Sequence, residues 1–228
     1  MTVEESAGMD RWRRSPLAHR AAEFASLTGG VALVELPFLS MVSLRVAPGS
    51  DSASRVESAL GLKLPAVGNV SSVMVGEIDG VVAGEVRSVL WLGPDEFLVV
   101  GPVGATGDLV TLLIEAIGDD RGSVVDVSAN RDTLVLSGPN ARDLLEKGCT
   151  IDLHPRSFTA GCCAQTTLAR GHVLIWQAGA EGAPSGPVYR VLFRGSFADY
   201  FADWFIDAAA EFATAGTAQL LGATQSHG

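Results

Sequence analysis

The sequence carries little charge: Asp, Glu, Lys and Arg make up 18% of its 228 residues. With a mean hydropathy of +0.29, that excludes a disordered chain over most of its length. Positive charge is the scarcer sign. Sixteen Lys and Arg face 26 Asp and Glu, a formal net charge of −10. Such a chain repels nucleic-acid phosphates and anionic membranes, so the expected partners include no nucleic acid and no membrane. Cysteine is also scarce. There are three, an odd number, with Cys162 and Cys163 adjacent, which argues against a disulfide framework and for a reducing, cytoplasmic setting. No hydrophobic run is built to span a bilayer. The most apolar window, residues 31–46, is broken by Glu35, Pro37 and Arg45 and falls short of the ~20 residues a spanning helix needs. Residues 1–14 hold no apolar segment behind Arg11, Arg13 and Arg14, so no secretory signal is expected.

The motifs of several enzyme classes are missing too. Neither a dinucleotide fingerprint nor a phosphate-loop pattern occurs, and no GxSxG nucleophile elbow is present. Gly101-Pro102-Val103-Gly104 reads as a strand-to-helix loop. The helix after Gly138-Pro139 offers free N–H groups, as every helix start does. Cys149, His154, Cys162 and Cys163 lack zinc-ligand spacing, because adjacent side chains on a strand point apart. The cysteines read as buried structural thiols. His19, His154, His172 and His227 stand alone, without a paired carboxylate, and Asp119-Asp120 reads as a solvated turn. The expectation is a chain with no catalytic, cofactor-binding or metal-binding residues of its own.

What is present is alternation and helical spacing. Ser15 and Pro16 are placed to open a helix through Leu17, Ala21 and Phe24, stopped at Gly29-Gly30. Strands are expected over 31–36 and 39–46. A helix capped by Ser50 and closed by Gly61 follows. Further strands are expected at 81–82, 85–92 and 96–100, the last two joined at Gly93-Pro94-Asp95 into a half-buried hairpin. Thr106 opens a helix ended by Gly118. The second half repeats the order: strands at 123–127 and 133–136, a helix carrying Leu144 and Leu145, strands at 165–168, 173–176 and 189–193, and a helix over 197–212 capped by Ser196. A mobile loop is expected over 178–187. The division is a leader over 1–14, a first αβ half over 15–120, a second over 121–213, and a disordered tail over 214–228. The fold class is α+β, with helices on one face of largely antiparallel sheets.

The last helix has the sharpest pattern. Phe197, Tyr200, Phe201, Trp204, Phe205, Ala208 and Phe212 make one apolar face, with Trp204 and Phe201 as expected core residues. Asp199, Asp203, Asp207 and Glu211 fall at every fourth position. They form either a solvated acidic face or a docking stripe for a basic partner.

Several strings resemble the gamma subunit of heterotetrameric sarcosine oxidase. They include Ser15-Pro16-Leu17, Ser43-Leu44-Arg45, Leu60-Gly61-Leu62, and Leu90-Trp91-Leu92-Gly93-Pro94-Asp95-Glu96-Phe97-Leu98. In the second half they are Asp126-Val127-Ser128-Ala129-Asn130-Arg131, Ser137-Gly138-Pro139-Asn140-Ala141-Arg142, Lys147-Gly148-Cys149, Asp152-Leu153-His154-Pro155, Gln165-Thr166 and Ser196-Phe197-Ala198-Asp199-Tyr200. The second half is also similar to the aminomethyltransferase (T-protein) of the glycine cleavage system. That enzyme carries an Asp-bearing turn where residues 169–172 here read Ala-Arg-Gly-His. The resemblance implies the T-protein-like fold without independent folate chemistry. It further implies a non-cofactor-bearing structural subunit with alpha, beta and delta partners. By family analogy FAD, FMN, NAD, tetrahydrofolate and zinc belong to those partners. The implied reaction is oxidative demethylation of sarcosine to glycine with oxygen and tetrahydrofolate, giving hydrogen peroxide and methylenetetrahydrofolate. The alternative is a stand-alone folate-dependent aminomethyltransferase or folate-binding module.

Overall fold

Among the described residues, runs of alternating apolar residues resolve into ten strands in two sheets. The computed structural model describes residues 13–27, 29–75, 85–179 and 186–213. The strands are β1 (Ala32–Glu35), β2 (Ser40–Arg45), β3 (Val70–Val75), β4 (Glu85–Gly93), β5 (Glu96–Gly101), β6 (Ser123–Asp126), β7 (Arg131–Ser137), β8 (Cys163–Leu168), β9 (Gly171–Gly179) and β10 (Val188–Arg194). The helices are α1 (Ala21–Ser26), α2 (Asp51–Leu60), α3 (Thr106–Ile117), α4 (Ala141–Glu146) and α5 (Ala198–Ala213). The first sheet has the order β3-β4-β5-β2-β6 and the second β1-β7-β10-β9-β8. Every pairing among them is antiparallel. The α+β class expected from the order of elements is the one observed.

Three cores give the layering. Val56, Leu60, Leu109 and Leu113 of α2 and α3 pack on Val42, Leu44, Val89, Phe97 and Val99 of the first sheet. Phe24, Leu144, Phe201 and Phe205 of α1, α4 and α5 pack on Leu134, Ile175, Val191 and Phe193 of the second. Between the sheets lie Met41, Leu90, Leu98 and Val100 against Cys163, Leu174, Trp176 and Leu192. The order is therefore helices, sheet, sheet, helices. The hairpin β4–β5 pairs Trp91 with Phe97 and Gly93 with Glu96. It is buried on both faces rather than one, because Leu90 and Leu98 face the second sheet while Val89 and Val99 face the helices. Each half also lends the other an edge strand: β1 joins β7 in the second sheet, and β6 joins β2 in the first.

Local signals place most boundaries. The Ser50 hydroxyl accepts from the Ala53 amide at 3.1 Å and Gly61 closes α2 at φ 67°, so both caps stand where the sequence puts them. Ser15 does not cap a helix. Its hydroxyl donates to Glu35 Oε2 at 2.8 Å, and the Leu17 amide donates to Glu35 Oε1 at 3.2 Å. The chain there makes a 3₁₀ turn, Ala18–Arg20, before α1 begins. Ser196 lies inside a second 3₁₀ turn, Gly195–Phe197, ahead of α5. β3 has no counterpart among the expected strands, and the strand expected at 81–82 lies outside the described residues. Phe201 is fully buried, whereas Trp204 is only half-buried at the core's edge, its ring against Gly148.

Charges on the outer face of α5 find partners inside the chain. Asp199 meets His19 Nε2 at 2.7 Å and Asp203 meets Arg20 at 2.7 Å. Glu211 pairs with Lys147 at 2.7 Å. The acidic stripe is thus in part an intramolecular clasp holding the 3₁₀ turn and α4 against α5.

Candidate functional site

Segments far apart in sequence meet at one cleft of about 630 Å³. Its lining includes Arg131, Gln165, Thr167, Arg170, His172, Arg194 and Phe197. β7 begins at Arg131 and β10 ends at Arg194, and the register sets these two directly opposite each other. Side chains two apart on a strand share a face. Leu192, Leu174 and Cys163 face the first sheet, so Arg194, His172, Gln165 and Thr167 face the same way. The cleft therefore opens where the inter-sheet core runs out. Gln165 Nε2 donates to the Leu92 carbonyl at 3.1 Å, tying this end of β8 to the first sheet.

The turn between β8 and β9 is held from behind. Leu168 pairs with Gly171, leaving a two-residue loop with Ala169 at φ 52°. Tyr200 Oη accepts from the Arg170 amide at 3.1 Å. A Cβ on Gly171 would stand 2.5 Å from the Phe201 ring, so glycine is what lets β9 lie against α5 at this point. The turn that the sequence singled out is thus part of the cleft, and the Asp126–Arg131 and Gln165-Thr166 strings reach it too.

The cleft is cationic. Among the described residues no carboxylate lines it, and the side chains of Arg131, Arg170 and Arg194 make no ion pair or hydrogen bond. Burial, then the facing Arg194, pulls the Arg131 pKa below its ordinary value. The His172 imidazole can accept a proton but cannot lend negative charge to a developing cation, and among the described residues no carboxylate of the lining does so. The thiols do not fit a metal either. Burial pushes Cys163 up to about 11, its Sγ lies 3.2 Å from the Asn69 carbonyl, and Cys162 packs toward the opposite core. Among the described residues no three His, Cys, Asp or Glu side chains cluster as metal ligands would. Sequence reasoning named Arg131 and Arg170 only inside strings and left Arg194 out. The signal is the like charge at facing strand ends, which is invisible until the register is known.

The fold belongs to a known class. The glycine cleavage system aminomethyltransferase T of Bartonella henselae matches with a TM-score of 0.56 at 14% identity, over 82% of this chain and 48% of that one, which defines a T-protein-like architecture. Closer matches are more particular. The model of the sarcosine oxidase, gamma subunit family matches residues 46–211. Sarcosine oxidase subunit gamma of Corynebacterium sp. (strain P-1) is 42% identical over 204 residues, 89% of this chain and 92% of that protein. The Arthrobacter sp. subunit is 42% identical over 215 residues, 93% and 96% of the two chains. A chain of the heterotetrameric sarcosine oxidase from Corynebacterium sp. U-96, solved in complex with pyrrole 2-carboxylate, matches with a TM-score of 0.75 at 39% identity, over 89% of this chain and 97% of that one. The chain belongs to the sarcosine oxidase gamma subunit family, and its place is that of a subunit in an oxidoreductase assembly.

Proposed function

We propose that this chain is a non-catalytic structural subunit that buttresses the larger chains of a cytoplasmic sarcosine oxidase. Its partners are the alpha, beta and delta subunits, and FAD, FMN, NAD, tetrahydrofolate and zinc reside on them. The assembled enzyme oxidatively demethylates sarcosine to glycine with oxygen and tetrahydrofolate, releasing hydrogen peroxide and methylenetetrahydrofolate. One observation carries this reading. The turn that would serve folate chemistry opens on a cleft lined by three arginines and a histidine, and among the described residues no carboxylate is there to stabilise a developing cation. Two features support it further: both outer helical layers are packed into cores of the chain's own making, and Cys163 is held as a buried thiol. The test uses the tagged full chain as bait in cells expressing the other subunits. Recovery of a flavin-bearing complex containing two larger chains is expected. Recovery of the chain alone, with stoichiometric tetrahydrofolate, would instead support a folate-binding module.

A further inference from the structure

We infer that the cleft at the open end between the two sheets is a receptor for a polycarboxylate, an anion carrying two or three carboxylates on a small carbon skeleton. Arg131 and Arg194 stand directly opposite each other on β7 and β10. Like charges in that relation oppose strand pairing, and among the described residues no carboxylate lines the cleft they share. Arg170 adds a third guanidinium from the β8–β9 turn. This is an unusual deployment for a chain with 26 acidic and 16 basic residues. Several cations elsewhere are paired with carboxylates: Arg20 with Asp203 at 2.7 Å, Arg55 with Asp120 at 2.8 Å, Lys63 with Glu57 at 2.6 Å and Lys147 with Glu211 at 2.7 Å. Glu96, whose charge favours the Arg131 guanidinium, is engaged by Arg45 at 3.4 Å.

The geometry selects the ligand class. A guanidinium presents a planar fork that matches a carboxylate edge, and three forks around one cavity match more than one carboxylate. The same forks also accept phosphate, so inorganic phosphate serves as a comparator. About 630 Å³ lies within the range of small-molecule sites, roughly 300–1,000 Å³. Phe197, 45% exposed, supplies an apolar wall for a carbon skeleton. The carboxylates have two possible sources, a free polycarboxylate or acidic side chains of a partner subunit, and the recognition chemistry is the same for both.

The test titrates the full chain calorimetrically with citrate, using acetate and inorganic phosphate as comparators at matched ionic strength. Citrate is expected to bind at least about tenfold more tightly than either comparator, since multidentate arginine contacts are charge-assisted. Arg131→Gln and Arg194→Gln should each weaken citrate about tenfold or more. Their thermal midpoints should be unchanged or raised, because the like-charge pair is gone, which separates lost binding from lost folding. Arg55→Gln, outside the cleft, should bind as the parent does. A second arm, which rests on the subunit reading, repeats the titration on the assembled oxidase. Binding there identifies a free ligand. Exclusion there, together with failure of the Arg194→Glu chain to co-purify, identifies a partner's carboxylates. Citrate no tighter than acetate or phosphate on the full chain, or undiminished in the Arg→Gln variants, overturns the proposal. So does an assembled enzyme that excludes citrate while Arg194→Glu assembles normally.

Discussion

Against the second sheet the helices bring rings. Phe24 of α1 and Phe201 and Phe205 of α5 meet Tyr189 and Phe193 of β10, with the Phe193 and Phe201 centroids 4.9 Å apart. Against the first sheet they bring branched chains, Val56 and Leu60 from α2 and Leu109 and Leu113 from α3, and among the described residues Phe97 is the one fully buried ring of that layer. Glycine makes room for side chains in both layers, most closely against the rings. Rings demand room, so Gly171 and Gly148 sit where a Cβ would strike Phe201 at 2.5 Å and Trp204 at 2.7 Å. The aliphatic layer uses the same device at Gly101, where a Cβ would stand 2.7 Å from Leu109 Cδ1 of α3, and adds capping, as at Ser50 and Gly61.

The largest expected effect lies in the aromatic layer. Phe201→Ala should cost about 3–5 kcal/mol in denaturant unfolding, as a fully buried ring does. Gly171→Ala should cost about 1–3 kcal/mol alone through overpacking, and close to nothing when Phe201 is already Ala. Additive costs would mean that ring and glycine do not constrain each other. In the aliphatic layer, Leu113→Ala should cost about 2–4 kcal/mol with no glycine to which it couples. Half-buried Trp204 should cost less than Phe201 when cut to Ala.

Capping sharpens the contrast further. Ser50→Ala should cost about 1 kcal/mol, since it frees the Ala53 amide at the start of α2. Ser196→Ala, inside a 3₁₀ turn and exposed, should stay within about 0.5 kcal/mol. A larger loss at Ser196 would show that the aromatic layer also depends on a cap.

A further expectation is a pH slope arising in the second sheet. Burial, then the neighbouring Glu35, pushes the Asp132 carboxyl up to about 7 from 3.8. Between those values the folded chain keeps a proton that the unfolded chain has lost. Asp132 therefore costs nothing below the window and destabilises the fold progressively as pH rises through it. Asp132→Asn should flatten this part of the curve, read from denaturant midpoints on either side of the window. Parallel curves for parent and variant would assign the slope to other groups.

Much of the fold was legible because its signals are local. Ser50 and Gly61 bracket α2, Gly93-Pro94-Asp95 marks the β4–β5 turn, and the i, i+3, i+4 rings mark α5. The misses share a cause, which is a partner distant in sequence. Ser15 has good capping chemistry, yet Glu35 takes its hydroxyl. β3 lacks a clean alternation and is defined by pairing with β4. Asp199 and Asp203 read as a bare acidic stripe until His19 and Arg20 are folded onto them. The cleft is the extreme case. Arg131 and Arg194 lie in different strands, and register alone makes them neighbours. The family strings converged on it without revealing its charge.

The most direct test of the central claim is steady-state sarcosine turnover per flavin, measured for the complete assembly and for a preparation made without this chain. A structural subunit predicts a sharply lower yield of assembled enzyme, with turnover per remaining flavin within about twofold, well short of the 10²–10⁴-fold loss of an acid–base group. Normal yield and flavin content with turnover reduced a hundredfold would contradict the account and make this chain part of the active site.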